Sequence, residues 1–124
     1  MRIQVVALRR AERVIPRRAN GLRAAVVVLK PGAVMDWHST GSREELLIAL
    51  AGRVQVHTAT APSKKRRGDR KNAQEPQEFL RFRDGDVAVV RAGQCAFLPR
   101  GTFHRVINPS MGNARYLYVT GSAA

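Results

Sequence analysis

An all-β sandwich or barrel is the fold class this sequence predicts, on three observations. Short apolar segments recur at intervals of roughly 8–12 residues, turn residues separate them, and no stretch carries a convincing helical period. The chain has 124 residues, of which 44% are hydrophobic, enough for the core of one domain spanning residues 1–124.

The elements follow in order. Residues 2–8 alternate apolar and polar side chains and predict a first strand. Residues 9–23 hold six arginines, Pro16 and Asn20-Gly21, and predict a loop or short hairpin. Residues 22–30 are rich in Ala and Val and predict a buried strand stopped by Pro31-Gly32. Residues 34–40 predict a strand carrying His38, Gly41-Ser42 a turn, and residues 44–49 the next strand. Ala51-Gly52 predicts a hairpin turn into residues 53–59, where Val54 and Val56 alternate with polar neighbours. Residues 61–76 contain a basic run, S-K-K-R-R-G-D-R-K, and predict a long exposed loop. Residues 79–83 resume as a strand, Asp84-Gly85 predicts a hairpin turn, and residues 87–90 a further strand. The last strands are expected at 95–98, 103–107 and 115–120, for a total of about nine or ten.

Composition narrows the function. No stretch approaches the roughly 18 apolar residues that span a bilayer, so no membrane partner is expected. Residues 1–16 alternate apolar and basic side chains without an apolar signal region. The single Cys95 cannot close an internal disulfide, which fits a reducing cytoplasm, and its place in an apolar strand predicts a buried small hydrophobe. Twenty-two Lys and Arg against nine acids give a formal charge of +13 and a sequence pI near 11.6. Such a balance attracts anions. The basic residues are mostly Arg and scattered along the whole chain, with few aromatics between them, so nucleic acid is not the expected partner. The 63–71 run is compositionally a nucleic-acid or localisation patch, and equally a solvated loop.

Two segments carry the chemistry. Residues 93–108 read G-Q-C-A-F-L-P-R-G-T-F-H-R-V-I-N, placing Gly93, Pro99, Gly101, His104 and Asn108 at G-x5-P-x-G-x2-H-x3-N. Physically, Pro99-Arg100-Gly101 makes a turn in which Gly101 is free to take positive φ, and the turn delivers His104 at the start of a strand. A rigid turn of this kind holds a histidine in one rotamer, as a metal ligand needs. Residues 32–52 read G-A-V-M-D-W-H-S-T-G-S-R-E-E-L-L-I-A-L-A-G, with His38 six residues after Gly32 and Glu45 seven before Gly52. Together the segments resemble the paired motifs of the cupin superfamily, G-x5-H-x-H-x3,4-E-x6-G and G-x5-P-x-G-x2-H-x3-N. The second motif matches at every fixed position; in the first, Thr40 stands where the family has its second histidine.

The resemblance covers about residues 22–120 and implies a small single-domain cupin of the conserved-barrel type, a double-stranded β-helix or jelly-roll barrel. It also implies that His38, Glu45 and His104 meet inside the barrel, where the family holds a divalent transition metal with three histidines and a glutamate. Two imidazoles and one carboxylate remain here, a combination suited to Fe(II) and related ions, with Zn, Ni and Mn equally compatible. A water fixed by the Thr40 hydroxyl could fill the vacated position. In the competing reading the pocket is metal-free, and the histidines hydrogen-bond to Glu45 or to a ligand.

Strand alternation places the other candidates. Asp36, His38 and Thr40 share a face, so Asp36 either orients His38, touches substrate or is a solvated acid. Met35 and Trp37 lie on the opposite face, for packing in the core or at a subunit interface. His57 falls outside the barrel with Arg53 and Gln55. Arg43, Arg100 and Arg105 flank the ligands in sequence, and an anionic substrate would gain from any one that faces the pocket.

Three functions are therefore weighed. The first is a metal-binding cupin acting on a small molecule by oxygenase- or isomerase-type chemistry. The second is a non-catalytic module binding a sugar or other small ligand, and the third a basic interaction protein using the barrel as a scaffold. A homodimer is expected because single-domain cupins commonly pair, with the segment 3–8 crossing to a partner sheet.

Overall fold

The computed structural model describes residues 3–60 and 83–122, and in these the chain is built from nine strands in two antiparallel sheets, with no helix. The strands are β1 (Glu12–Arg13), β2 (Leu22–Leu29), β3 (Val34–Ser39), β4 (Arg43–Ala51), β5 (Arg53–Thr60), β6 (Arg83–Arg91), β7 (Cys95–Leu98), β8 (Phe103–Ile107) and β9 (Ala114–Ser122). One sheet runs β1-β2-β9-β4-β7 and the other β3-β8-β5-β6. The basic run within 61–76 and most of the strand expected at 79–83 lie outside the described residues.

Alternation decides which side chains fill the space between the sheets. Leu47 and Ala49 of β4, Val54 and Val56 of β5, Val90 of β6, Leu98 of β7, Val106 of β8, and Ala114 and Tyr116 of β9 are all buried in one cluster. Each buried aliphatic side chain of this size contributes about 1.5–3 kcal/mol. Asn108, the last residue of the second motif, is fully buried and serves the frame. Its Nδ2 donates to the carbonyls of Leu29 (2.9 Å) and Gly112 (2.8 Å), and its Oδ1 accepts from the Ser110 amide and hydroxyl. It thereby ties the end of β2 to the β8–β9 connection.

Four expectations are corrected. Residues 3–8 join neither sheet, and Ile3 and Val5 are 88% and 91% exposed: alternation alone does not make a strand without an edge to pair with. Ala51-Gly52 is not a hairpin turn, because β4 and β5 belong to different sheets and the chain crosses between them there. Asp84-Gly85 is not a turn either. Both lie within β6, where the register against β5 shifts between His57 and Ala59. The Thr58 hydroxyl takes up the freed Asp86 amide (2.9 Å), and a Cβ on Gly85 would overlap the Thr58 carbonyl. Glycine is present for close approach at a bulge, a signal that in sequence is indistinguishable from a turn. Cys95 is exposed rather than buried, because Ala96 and Leu98 claim the inner face of the edge strand β7 and turn Cys95 and Phe97 outward.

Candidate metal centre

Three strands converge on one end of the space between the sheets. β3 and β8 pair so that His38 lies directly opposite His104, and their rings sit 4.1 Å apart between centroids, tilted by 57°. β4 supplies Glu45 from the other sheet. One ligand-type atom from each of His38, Glu45 and His104 lies within 4.8 Å of the others, a group that could hold an ion. His104 is fully buried and Glu45 is 8% exposed, while His38 is the most open of the three.

The local backbone sets both imidazoles in the same way. The Nδ1–H of His38 donates to the carbonyl of Asp36 at 2.7 Å, and that of His104 to the carbonyl of Thr102 at 3.2 Å. A carbonyl only accepts, so in each ring Nδ1 carries a proton, and Nε2 is the atom presented to the site. Nε2 of His104 is buried with no hydrogen-bond partner and lies 3.2 Å from Oε2 of Glu45. A bare imidazole nitrogen facing a carboxylate is two acceptors in contact, which requires a shared proton or a cation between them. The donor set and the orphaned nitrogen therefore fit a divalent transition ion.

The turn that delivers His104 is stapled from across the site. Gly101 takes φ 72° and donates its amide to the Gly41 carbonyl at 2.7 Å. The Thr40 hydroxyl donates to the Pro99 carbonyl (2.8 Å) and accepts from the Thr102 amide (2.9 Å), while the Thr40 amide donates to the Thr102 carbonyl (3.0 Å). Thr102 also supplies the carbonyl that fixes His104. The Thr40 hydroxyl is thus bound into the turn, and Thr40 and Asp36 both line the pocket beside the three residues.

Asp36 orients His38, through its main-chain carbonyl rather than its carboxylate, which turns back to accept the Trp37 amide at 2.7 Å. The register between β3 and β8 shifts between Met35 and His38. That bulge corrects the placing of Met35, which faces Val106 and lines the pocket with His38 instead of opposing it. Trp37 does lie away from the pocket, stacked on Phe103 at 5.5 Å with the Arg105 guanidinium over its ring. His57 is on the same outer side. Its Nε2 pairs with Gln55 Oε1 (3.1 Å), its Nδ1 faces Arg105 Nη2, and burial followed by the Arg105 charge lowers its pKa.

The pocket around the three residues has a volume of about 520 Å³. Of the three flanking arginines only Arg43 lines it. Sequence reasoning missed Arg23, Tyr116 and Tyr118, although the alternation of β9 places Tyr116, Tyr118 and Thr120 on one face. The Tyr116 phenol is 2% exposed, and its pKa is pushed well above the usual range by burial first, then by the charge of Glu45 and by Tyr118. It stays protonated at any physiological pH.

Solved structures of similar shape include the cupin domain of Schizosaccharomyces pombe Cnp3 (TM-score 0.65, 13% identity, covering 94% of this chain and 64% of that one). A Cupin 2 conserved barrel domain protein from Salinispora arenicola is similar at TM-score 0.64 and 22% identity, over 99% of this chain and 90% of that one. An oxalate oxidase in complex with glycolate matches at TM-score 0.58 and 20% identity, over 82% of this chain and only 42% of its own. At these identities the likeness is one of fold. No curated protein sequence matches the chain. The cupin family profile matches residues 12–124, and with both motifs in place the chain belongs to the cupin family.

Proposed function

We propose that this protein is a metal-dependent cupin acting on a small molecule, with His38, Glu45 and His104 holding a divalent transition ion inside a jelly-roll barrel. The observation that carries this reading is the buried, unpartnered Nε2 of His104 set 3.2 Å from the Glu45 carboxylate. Zn, Ni, Fe and Mn all suit two imidazoles and a carboxylate. When bound, such an ion supplies Lewis acidity or redox chemistry beside its open positions.

The chain's own residues define the rest of the site. The Asp36 and Thr102 carbonyls hold the imidazoles in the tautomer that presents Nε2. Met35 and Val106 form an apolar wall. Tyr116, kept protonated beside Glu45, is a hydrogen-bond donor for an oxygen atom of the ligand. Oxygenase- and isomerase-type chemistry both fit this arrangement, and the oxalate oxidase similarity, being one of fold, chooses neither.

A second reading is a non-catalytic module that binds a sugar or other small ligand without metal. It is favoured by Thr40, whose hydroxyl is spent on the turn where the family has a ligating histidine. In that case His104 and Glu45 share a proton. Elemental analysis of untagged protein beside His104→Ala separates the two: near one equivalent of transition metal, lost in the variant, supports the first. No metal in either sample, and none taken up on reconstitution, overturns it.

The working assembly proposed is a cytoplasmic single-domain homodimer. Exposed apolar residues at Ile3, Val5, Leu46 and Phe97 support pairing, and among the described residues no helix is long and apolar enough to cross a membrane. A monomer mass in light scattering at micromolar concentration overturns the dimer.

A further inference from the structure

Two guanidiniums stand at the mouth of the pocket, and their situations differ. Arg43 is immobilised: Nε donates to the Thr120 hydroxyl (2.9 Å), and Nη2 donates to the carbonyls of Thr120 (2.9 Å) and Gly21 (3.0 Å). All three partners are neutral, and Nη1 is left over. The Arg23 guanidinium makes no hydrogen bond and no ion pair among the described residues. The register places it with the ligands: Arg23 pairs with Thr120, and Thr120 pairs with Glu45. Partners across a ladder share a face, so Arg23 projects on the same inward side as Glu45, two strands away, or about 10 Å between backbones.

The charge balance then points to a ligand class. The lining holds two guanidiniums, Arg23 and Arg43, and two carboxylates, Asp36 and Glu45. Neither carboxylate forms a salt bridge to a guanidinium among the described residues: Asp36 accepts the Trp37 amide and Glu45 faces His104. A divalent ion at the histidines leaves the pocket with excess positive charge. Such a mouth favours an anion, and a free guanidinium fork matches a two-oxygen anionic group.

We propose that the mouth is an oxyanion subsite: the ligand is a small molecule bearing a carboxylate or phosphate, whose anionic oxygens are bound by Arg23 with Arg43 fixed beside it. The inference rests on the small-molecule pocket described above and adds what that molecule must carry. Arg23 is the specificity residue. Arg43 is the positioned charge behind it, and its bonds from β4 to Thr120 of β9 and to Gly21 just ahead of β2 make it a poor target for substitution.

The test is calorimetric titration of the full chain with succinate, inorganic phosphate and neutral succinamide, in wild type, Arg23→Gln and Arg23→Lys. Each is run with and without Zn²⁺, with zinc stoichiometry measured beside it. The expected result is that succinate or phosphate binds and succinamide does not, that Arg23→Gln weakens the anion at least tenfold, and that Arg23→Lys falls between. The tighter of the two anions identifies the group. Equal binding of anion to wild type and Arg23→Gln, binding of succinamide as tight as succinate, or no binding of either anion overturns the subsite. Zinc uptake is expected to be the same in wild type and Arg23→Gln. A wild type that takes up no zinc defeats the metal reading alone, since the comparison of Arg23 variants still reads out in the metal-free protein.

Discussion

His104 and His57 stand on adjacent strands of the same sheet, and their surroundings are opposite. His104 faces inward, fully buried, with Nδ1 fixed by a carbonyl and Nε2 left bare against Glu45. His57 sits opposite Arg105 on the outer side, with Gln55 and Arg105 at its two nitrogens. The pleat alone assigns these fates. A one-residue slip of β5 would exchange Val56 for His57 in the core, and burial of Val54 and Val56 forbids it. A histidine becomes a candidate ligand only when one nitrogen is oriented and the other is denied a partner.

The largest effect expected from breaking this contrast is on metal content. His104→Ala should reduce bound transition metal from near one equivalent to a tenth or less, while His57→Ala leaves it unchanged; elemental analysis of both reads the difference. Equal loss in the two variants would remove the distinction between the faces. Metal should also stabilise the wild type by about 2.7 kcal/mol at a hundredfold excess over Kd, and thermal melting should show no such gain in His104→Ala.

Next in size is the staple that holds His104 in place. Thr40→Val removes the hydroxyl that bridges Pro99 and Thr102; the Pro99 carbonyl keeps the Thr102 hydroxyl, and the part-buried Thr102 amide loses this partner. A loss of about 0.5–1.5 kcal/mol in urea unfolding is expected. Metal stoichiometry should survive, because Thr40 is assigned to the turn and not to the ion. A metal-free but fully stable Thr40→Val would reverse that assignment.

The smallest effect concerns His57 alone. Burial and Arg105 lower its pKa in the folded protein, so folding disfavours its protonation. Its contribution to stability is present above the unfolded value, about 6.5, and is lost as pH falls through the lowered folded value. Unfolding free energy measured from pH 7 to 5 should decline less steeply in His57→Gln than in the wild type. Identical slopes would mean the ring is freely solvated.

Much of this was legible along the chain, because strand alternation and turn residues are local signals. Val54 and Val56 announced their burial, and the spacing of Gly93, Pro99, Gly101 and His104 announced a turn that aims a histidine. Glycine was the ambiguous sign. Gly85 relieves a close approach at a bulge, and nothing in the sequence separates that use from a turn.

By itself, then, the sequence determined an all-β cupin chain and named His38, Glu45 and His104, since two-residue periodicity and motif spacing are properties of neighbours. Tertiary structure alone decided that Met35 turns into the pocket, that Thr40 staples rather than ligates, that Cys95 faces out, and that Arg23 joins Glu45 on one face. Each of these depends on a partner strand distant in sequence, or on a register shift set by pairing. Such pairing is a property of the assembled sheets, which no local pattern encodes.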